Sequence, residues 1–175
     1  MFKMLAARHR TACCIGVITA ATIATLALLG GNGVHAHSGK HFAAGQPGDP
    51  KKPSRTITVV AREDGKRMLF EPERVEVRQG EQIRFVIWNE GTWDHEFLLD
   101  SFDGNAKHKA VMQKHPEMEH DDPNGKTVGV SEKAEVLWRF TKVGTFEYAC
   151  LLPGHYEAGM KGVVVVAPRK SRRGK

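Results

Sequence analysis

At 175 residues, with 41% hydrophobic residues and a formal net charge of +6, the chain has room for one ordinary domain plus tails. The positive balance belongs to the ends, because between Ser54 and Pro168 there are 15 Lys and Arg against 19 Asp and Glu. A mildly acidic body with no aromatics interleaved among its basic residues excludes nucleic acid as an expected partner.

In chain order, Lys3, Arg8 and Arg10 precede an apolar run from Cys13 to Leu29. Gly30, Gly31 and Gly33 break that run, and Val34-His35-Ala36 has the small-x-small form of a cleavage site. This layout reads as a secretory signal peptide over 1–36, cut after Ala36, which sends the chain to the periplasm. An uncleaved anchor is the competing reading. The run is at the short end for spanning a bilayer, so no stable membrane insertion is expected after cleavage. Cleavage removes Cys13 and Cys14 and leaves Cys150 as the sole cysteine, so no intramolecular disulfide is available.

Residues 37–54, "HSGKHFAAGQPGDPKKPS", are rich in Gly, Pro and Lys and read as a flexible leader. His37 as the new N-terminus, together with His41, has groups that chelate Cu(II), although a disordered leader is the plainer account. From there short strand-like runs follow at 56–61, 74–78, 82–89, 95–100, 135–140, 145–150 and 162–167. Several alternate in the strand period, with Ile83, Phe85 and Ile87 on one face. Such a series, broken by turn signals, predicts an all-β, antiparallel sandwich over 55–168. The last residues, 169–175, form a basic tail expected to be disordered.

One segment departs from the pattern. Residues 101–127 are too long for a hairpin, and "NAKHKAVMQKH" (105–115) predicts a helix stopped by Pro116. On that helix His108, Met112 and His115 share one face, and Met118 and His120 follow at once. The plain reading is a surface helix with Met112 against the sandwich. The sharper one is a second, weaker copper site made from these five thioethers and imidazoles.

The stretch "CLLPGHYEAGM" (150–160) carries the densest chemistry. Cys150 ends a strand, and Pro153, Gly154 and Gly159 favour turns that let Cys150, His155 and Met160 converge. A thiolate and an imidazole suit zinc or copper; a thioether is a poor zinc ligand but a normal weak axial partner in a His2Cys copper site. That arrangement needs a second imidazole, and His95 in "WNEGTWDHEF" stands at the start of a strand after a turn.

At these residues the chain resembles the small blue copper proteins, the cupredoxins, over roughly Arg55 to Ala167. The spacing C-x4-H-x4-M is similar to that of rusticyanin and auracyanin, and longer before the histidine than in plastocyanin. The insert ending in "PEMEHDDPN" is similar to that of periplasmic proteobacterial cupredoxins associated with copper tolerance. The resemblance implies a Greek-key β-sandwich and one type 1 copper per chain, with His95, Cys150 and His155 as equatorial ligands and Met160 as the axial one. Glu96 stands where plastocyanin-like members often have an asparagine that braces the cysteine loop. A Glu96 charge aimed at the metal would lower its potential, and Asn89 is the alternative brace.

The expected function is a periplasmic one-electron copper protein serving copper tolerance, and not an enzyme. A Cys/His hydrolase gives Met160 no role, and a multicopper oxidase or nitrite reductase needs further histidine clusters and a second domain. The alternative is a dedicated soluble electron carrier. Either way a redox partner or copper-handling protein would dock near His155, on an apolar patch of Leu151, Leu152, Pro153 and Tyr156, and the protein itself is expected to be a monomer.

Overall fold

The structure, a computed structural model, describes residues 42–118 and 120–170. Alternation builds the sheets. In β5 (Gln82–Asn89) Ile83, Phe85 and Ile87 are fully buried while Arg84 and Val86 between them are only half-buried. β2 (Arg55–Asp64) turns through Gly65 into β3 (Arg67–Glu71). With β9 (Lys133–Phe140) and β1 (Gly45–Pro47) these strands form a five-stranded sheet in the order β1-β9-β5-β2-β3.

The second sheet holds β4 (Arg74–Arg78), β11 (Lys161–Ala167), β10 (Gly144–Ala149), β6 (His95–Asp100), β8 (Gly125–Val128) and β7 (Asp121–Asp122), in that order. Both sheets contribute to one core in which Phe70, Phe85, Phe97, Trp138 and Tyr148 are fully buried. Phe97 and Tyr148 stack with ring centres 5.3 Å apart. The expected strands are present to within a few residues. The pairing is not wholly antiparallel, however: β2 runs parallel to β5, and β4 parallel to β11. The chain leaves the first sheet for β4 before returning as β5, and that crossing makes the parallel neighbours.

Two boundaries differ from expectation. The segment 37–54 is not flexible throughout, because β1 pairs with β9 in register from Gly45 opposite Phe140 to Pro47 opposite Trp138. Ala44 is buried, and Phe42 meets Trp138 edge-on at 5.1 Å. Gln82 holds the Asp49 amide at 2.7 Å and donates to the Asp49 and Lys52 carbonyls. A short edge strand needs no apolar period and tolerates Pro47, so composition alone hid it. Gly45 is required there: its φ is +147°, and any Cβ would collide with the Arg139 carbonyl. The signal-peptide reading of 1–36, the residues His37 and His41, and the tail beyond Lys170 lie outside the described residues.

The helix also moves. α1 spans Phe102–Met112, starting three residues before the expected 105, because Ser101 caps it by accepting from the Gly104 amide at 3.0 Å. His115 falls beyond its end. Met112 packs with Leu98, Ala149 and Leu151 in a small core distinct from the main one. Leu98 alternates with Phe97 and Leu99, which face the main core, so α1 covers the outer face of the second sheet.

Candidate metal centre

The loop that follows β10 turns back on itself through local hydrogen bonds. The His155 amide donates to the Leu152 carbonyl, the Met160 amide to the His155 carbonyl and the Cys150 amide to the Met160 carbonyl. These bonds fold C-x4-H-x4-M so that its first and last residues are paired, with Cys150 and Met160 fully buried in the same cluster. His95 enters from the first position of β6 and is fully buried. His95 Nδ1 lies 3.3 Å from His155 Nδ1, and Cys150 Sγ lies 3.4 Å from His155 Nδ1. The two imidazole nitrogens and the thiol sulfur thus all lie within 4.8 Å of one another.

Around them the protein sets each donor's state. His95 Nε2 donates to Glu63 Oε1 at 3.0 Å, which fixes the tautomer and leaves Nδ1 with its lone pair towards His155 and Cys150. Glu63 is itself held by the Thr92 amide at 2.9 Å. Burial raises its pKa, but the Thr92 amide and His95 outweigh burial and hold Glu63 below the usual carboxylate value. Burial keeps His95 below the ordinary histidine value against the pull of Glu63; burial and the neighbouring His95 do the same for His155. Both rings therefore favour the neutral form near pH 7. Burial pushes the Cys150 thiol up to about 12, against the opposing Glu96 amide, which donates to Sγ at 3.3 Å. A buried sulfur flanked by two neutral imidazoles becomes a thiolate readily only when a cation replaces its proton. With the Met160 thioether in the same cluster, this donor set fits copper and fits zinc poorly.

The bracing differs from expectation. Asn89 does not reach the cysteine loop; its amide donates to the Trp93 and Val128 carbonyls and its oxygen accepts from Gly91, which shapes the turn leading to His95. Glu96 is the brace, with its backbone amide on the Cys150 sulfur and its Oε2 accepting from the Leu151 amide at 3.1 Å. Its carboxylate faces away from His95 because adjacent residues of β6 point to opposite faces. The expected apolar patch is smaller than four residues. Leu151 is fully buried, and Tyr156 lies beneath Lys109 and Lys161 with its hydroxyl donating to Glu147. Leu152 is half-buried and Pro153 is exposed.

Of the five insert residues, three converge. His108 Nε2 and His120 Nε2 are 3.0 Å apart, and Met112 Sδ is 3.5 Å from His120 Nε2. His115 and Met118 are exposed, His115 being 3.7 Å from Glu117, so they do not join that cluster. Sequence reasoning missed Glu63 as the partner of His95; it lies 32 residues upstream on the opposite sheet, and no spacing rule connects the two.

Comparisons with known proteins point the same way. The sequence model of the copper-binding plastocyanin/azurin family matches residues 57–167. A copper-resistant cuproprotein CopI from Rubrivivax gelatinosus is 44% identical over 134 residues, covering 77% of this chain and 79% of that protein. A second CopI, from Pseudomonas aeruginosa, is 33% identical, with 85% of this chain and 96% of that protein covered. Among solved structures, auracyanin B superposes with a TM-score of 0.58 at 25% identity, covering 73% of this chain and 99% of that one.

Proposed function

Because the chain belongs to the plastocyanin/azurin family of copper-binding proteins, we propose that it is an exported type 1 copper protein that protects the periplasm from excess copper. His95, Cys150 and His155 would hold the metal, with Met160 as a further sulfur donor. When bound there, copper supplies a one-electron Cu(II)/Cu(I) couple. The chain's own part is to position and desolvate. Glu63 orients His95, the Glu96 amide stabilises charge on the Cys150 sulfur, and two braced strands keep the donors from moving between oxidation states. The carrying observation is the convergence of Nδ1, Nδ1 and Sγ within 4.8 Å from two places in the chain.

The tolerance role is supported by relatives that are named copper-resistant cuproproteins. A nucleophilic enzyme is disfavoured by the site itself. Cys150 is fully buried and burial raises its thiol pKa, which supports a metal ligand over a free nucleophile. The partly exposed His155, beside Leu152 and Pro153, supports docking of a redox or copper-handling partner at this face, on a small transient interface.

Added Cu(II) should give the purified protein intense visible charge-transfer absorption, and Cys150→Ser should abolish it; colour that survives the substitution overturns the ligand assignment. In cells, a deletion strain should grow poorly as copper rises, with wild type but not Cys150→Ser restoring growth. Normal growth in copper would instead favour a dedicated electron carrier.

A further inference from the structure

Among the described residues, a second group of metal-binding side chains lies on the outer face of the second sheet, under α1. We propose that Glu96, His108 and His120, with the Met112 thioether, hold a second copper ion there. The ligand atoms Glu96 Oε1, His108 Nε2 and His120 Nε2 all lie within 4.8 Å of one another. Each comes from a different piece of structure. Glu96 projects from β6, His108 and Met112 sit one turn apart on α1, and His120 is on the segment returning from the helix to β7.

The donors are fixed before any ion arrives. His120 is tied by its own backbone: its amide donates to Thr127 Oγ1 and its carbonyl accepts from the Thr127 amide, both at 3.0 Å. Asp122 Oδ2 lies 3.5 Å from the far ring nitrogen, Nδ1, which leaves Nε2 turned inwards. There Nε2 faces His108 Nε2 at 3.0 Å, Glu96 Oε1 at 3.2 Å and Met112 Sδ at 3.5 Å.

A hydrogen-bonded cluster accounts for this poorly. A single ring proton can serve one of those three neighbours, and Glu96 Oε1, on a residue only 1% exposed, has no hydrogen-bond donor in bonding geometry. A buried carboxylate oxygen without a donor is costly, and a shared cation satisfies it together with both imidazoles. Two imidazoles and a carboxylate suit Cu(II), and the thioether adds affinity for Cu(I); zinc would leave the sulfur unused. A cavity of about 310 Å³, lined by His108, His120, Asp100, Asp122 and Asn124, opens beside the cluster and gives a cation an acidic way in.

No ligand is shared with the first centre, so the two can be tested apart. Cu(II) is added to the purified protein, unbound metal is removed, and copper per chain is measured together with electron paramagnetic resonance. The wild type should hold two coppers. Cys150→Ser should keep one, with the broad hyperfine pattern of nitrogen- and oxygen-ligated Cu(II) and no intense colour. The double variant His108→Ala/His120→Ala should fall to one while keeping the visible band, which also reports that it has folded. One copper in the wild type, or none in Cys150→Ser, would overturn the proposal while leaving the first site standing. Two coppers persisting in the double variant would place the second ion elsewhere, at His37 and His41 for instance, and would overturn it as well. A wild type that binds copper with no visible band, while His108→Ala/His120→Ala binds one copper fewer, would count against the first site and leave the second intact.

Discussion

Glu63 shows how a proposed metal centre can rest on a side chain that supplies no ligand. It accepts from His95 Nε2 and is itself clamped by the Thr92 amide, so it sets both the tautomer and the angle of one ligand ring. Glu63→Gln keeps the shape and loses the charge. Its Cu(II) affinity should fall by about 10–100-fold, read from competition with a chelator of known affinity. That Cys150, His155 and Met160 share one tightly folded loop was legible in the sequence, because residues at such spacing flanked by Pro and Gly turn back on themselves. His95 was legible because the donor set lacked an imidazole and a strand-start histidine offered one. Glu63 was not, since the fold alone brings β2 beside β6's first residue. Glu96 stood out in the sequence, but whether its side chain or Asn89's braced the cysteine loop depended on the facing of β6, which a one-residue change of register would invert.

Among the elements, the pairing of β10 with β11 carries the cysteine at its edge, and one position in it leaves no slack. Gly162 lies opposite Tyr148 in the ladder, and a Cβ on it would collide with the hydroxyl edge of the Tyr148 ring, which is already stacked on Phe97 and bonded through its hydroxyl to the Pro72 carbonyl. Gly162→Ala should therefore cost about 1–3 kcal/mol of stability, measured by denaturant unfolding of the copper-free protein. The long alternating strands could be read from periodicity alone, and β4, β5 and β6 match their expected limits. β1, β7 and β8, of three, two and four residues, could not, because such short pieces carry no period and are held by neighbours distant in sequence. α1 was expected from its central residues, but its start was set by the Ser101 cap and not by any apolar face.

Across the molecule, the sheets are tied together by a carboxylate at the β4–β5 turn. Glu81 accepts from Arg55 Nε at 2.7 Å and from the Arg78 amide at 2.8 Å, and its backbone carbonyl accepts from the Phe140 amide. Burial would raise its pKa, yet the Arg55 and Arg78 bonds more than offset this and hold it below the ordinary glutamate value. A depressed folded value means the stabilisation is complete above the unfolded value of about 4.3 and disappears as pH falls through the folded one. Urea midpoints at about pH 7 and about pH 3 should accordingly drop more in wild type than in Glu81→Gln. At the other margin of the first sheet, β1 does more than extend the fold towards the N-terminus. Its three residues occupy the hydrogen-bonding edge of β9, an eight-residue strand whose row of amides and carbonyls would otherwise face water. Bare edges of that length recruit strands from other chains. The segment read from composition as a mere leader thus covers part of that edge, and a chain trimmed of it should self-associate more readily, read by light scattering.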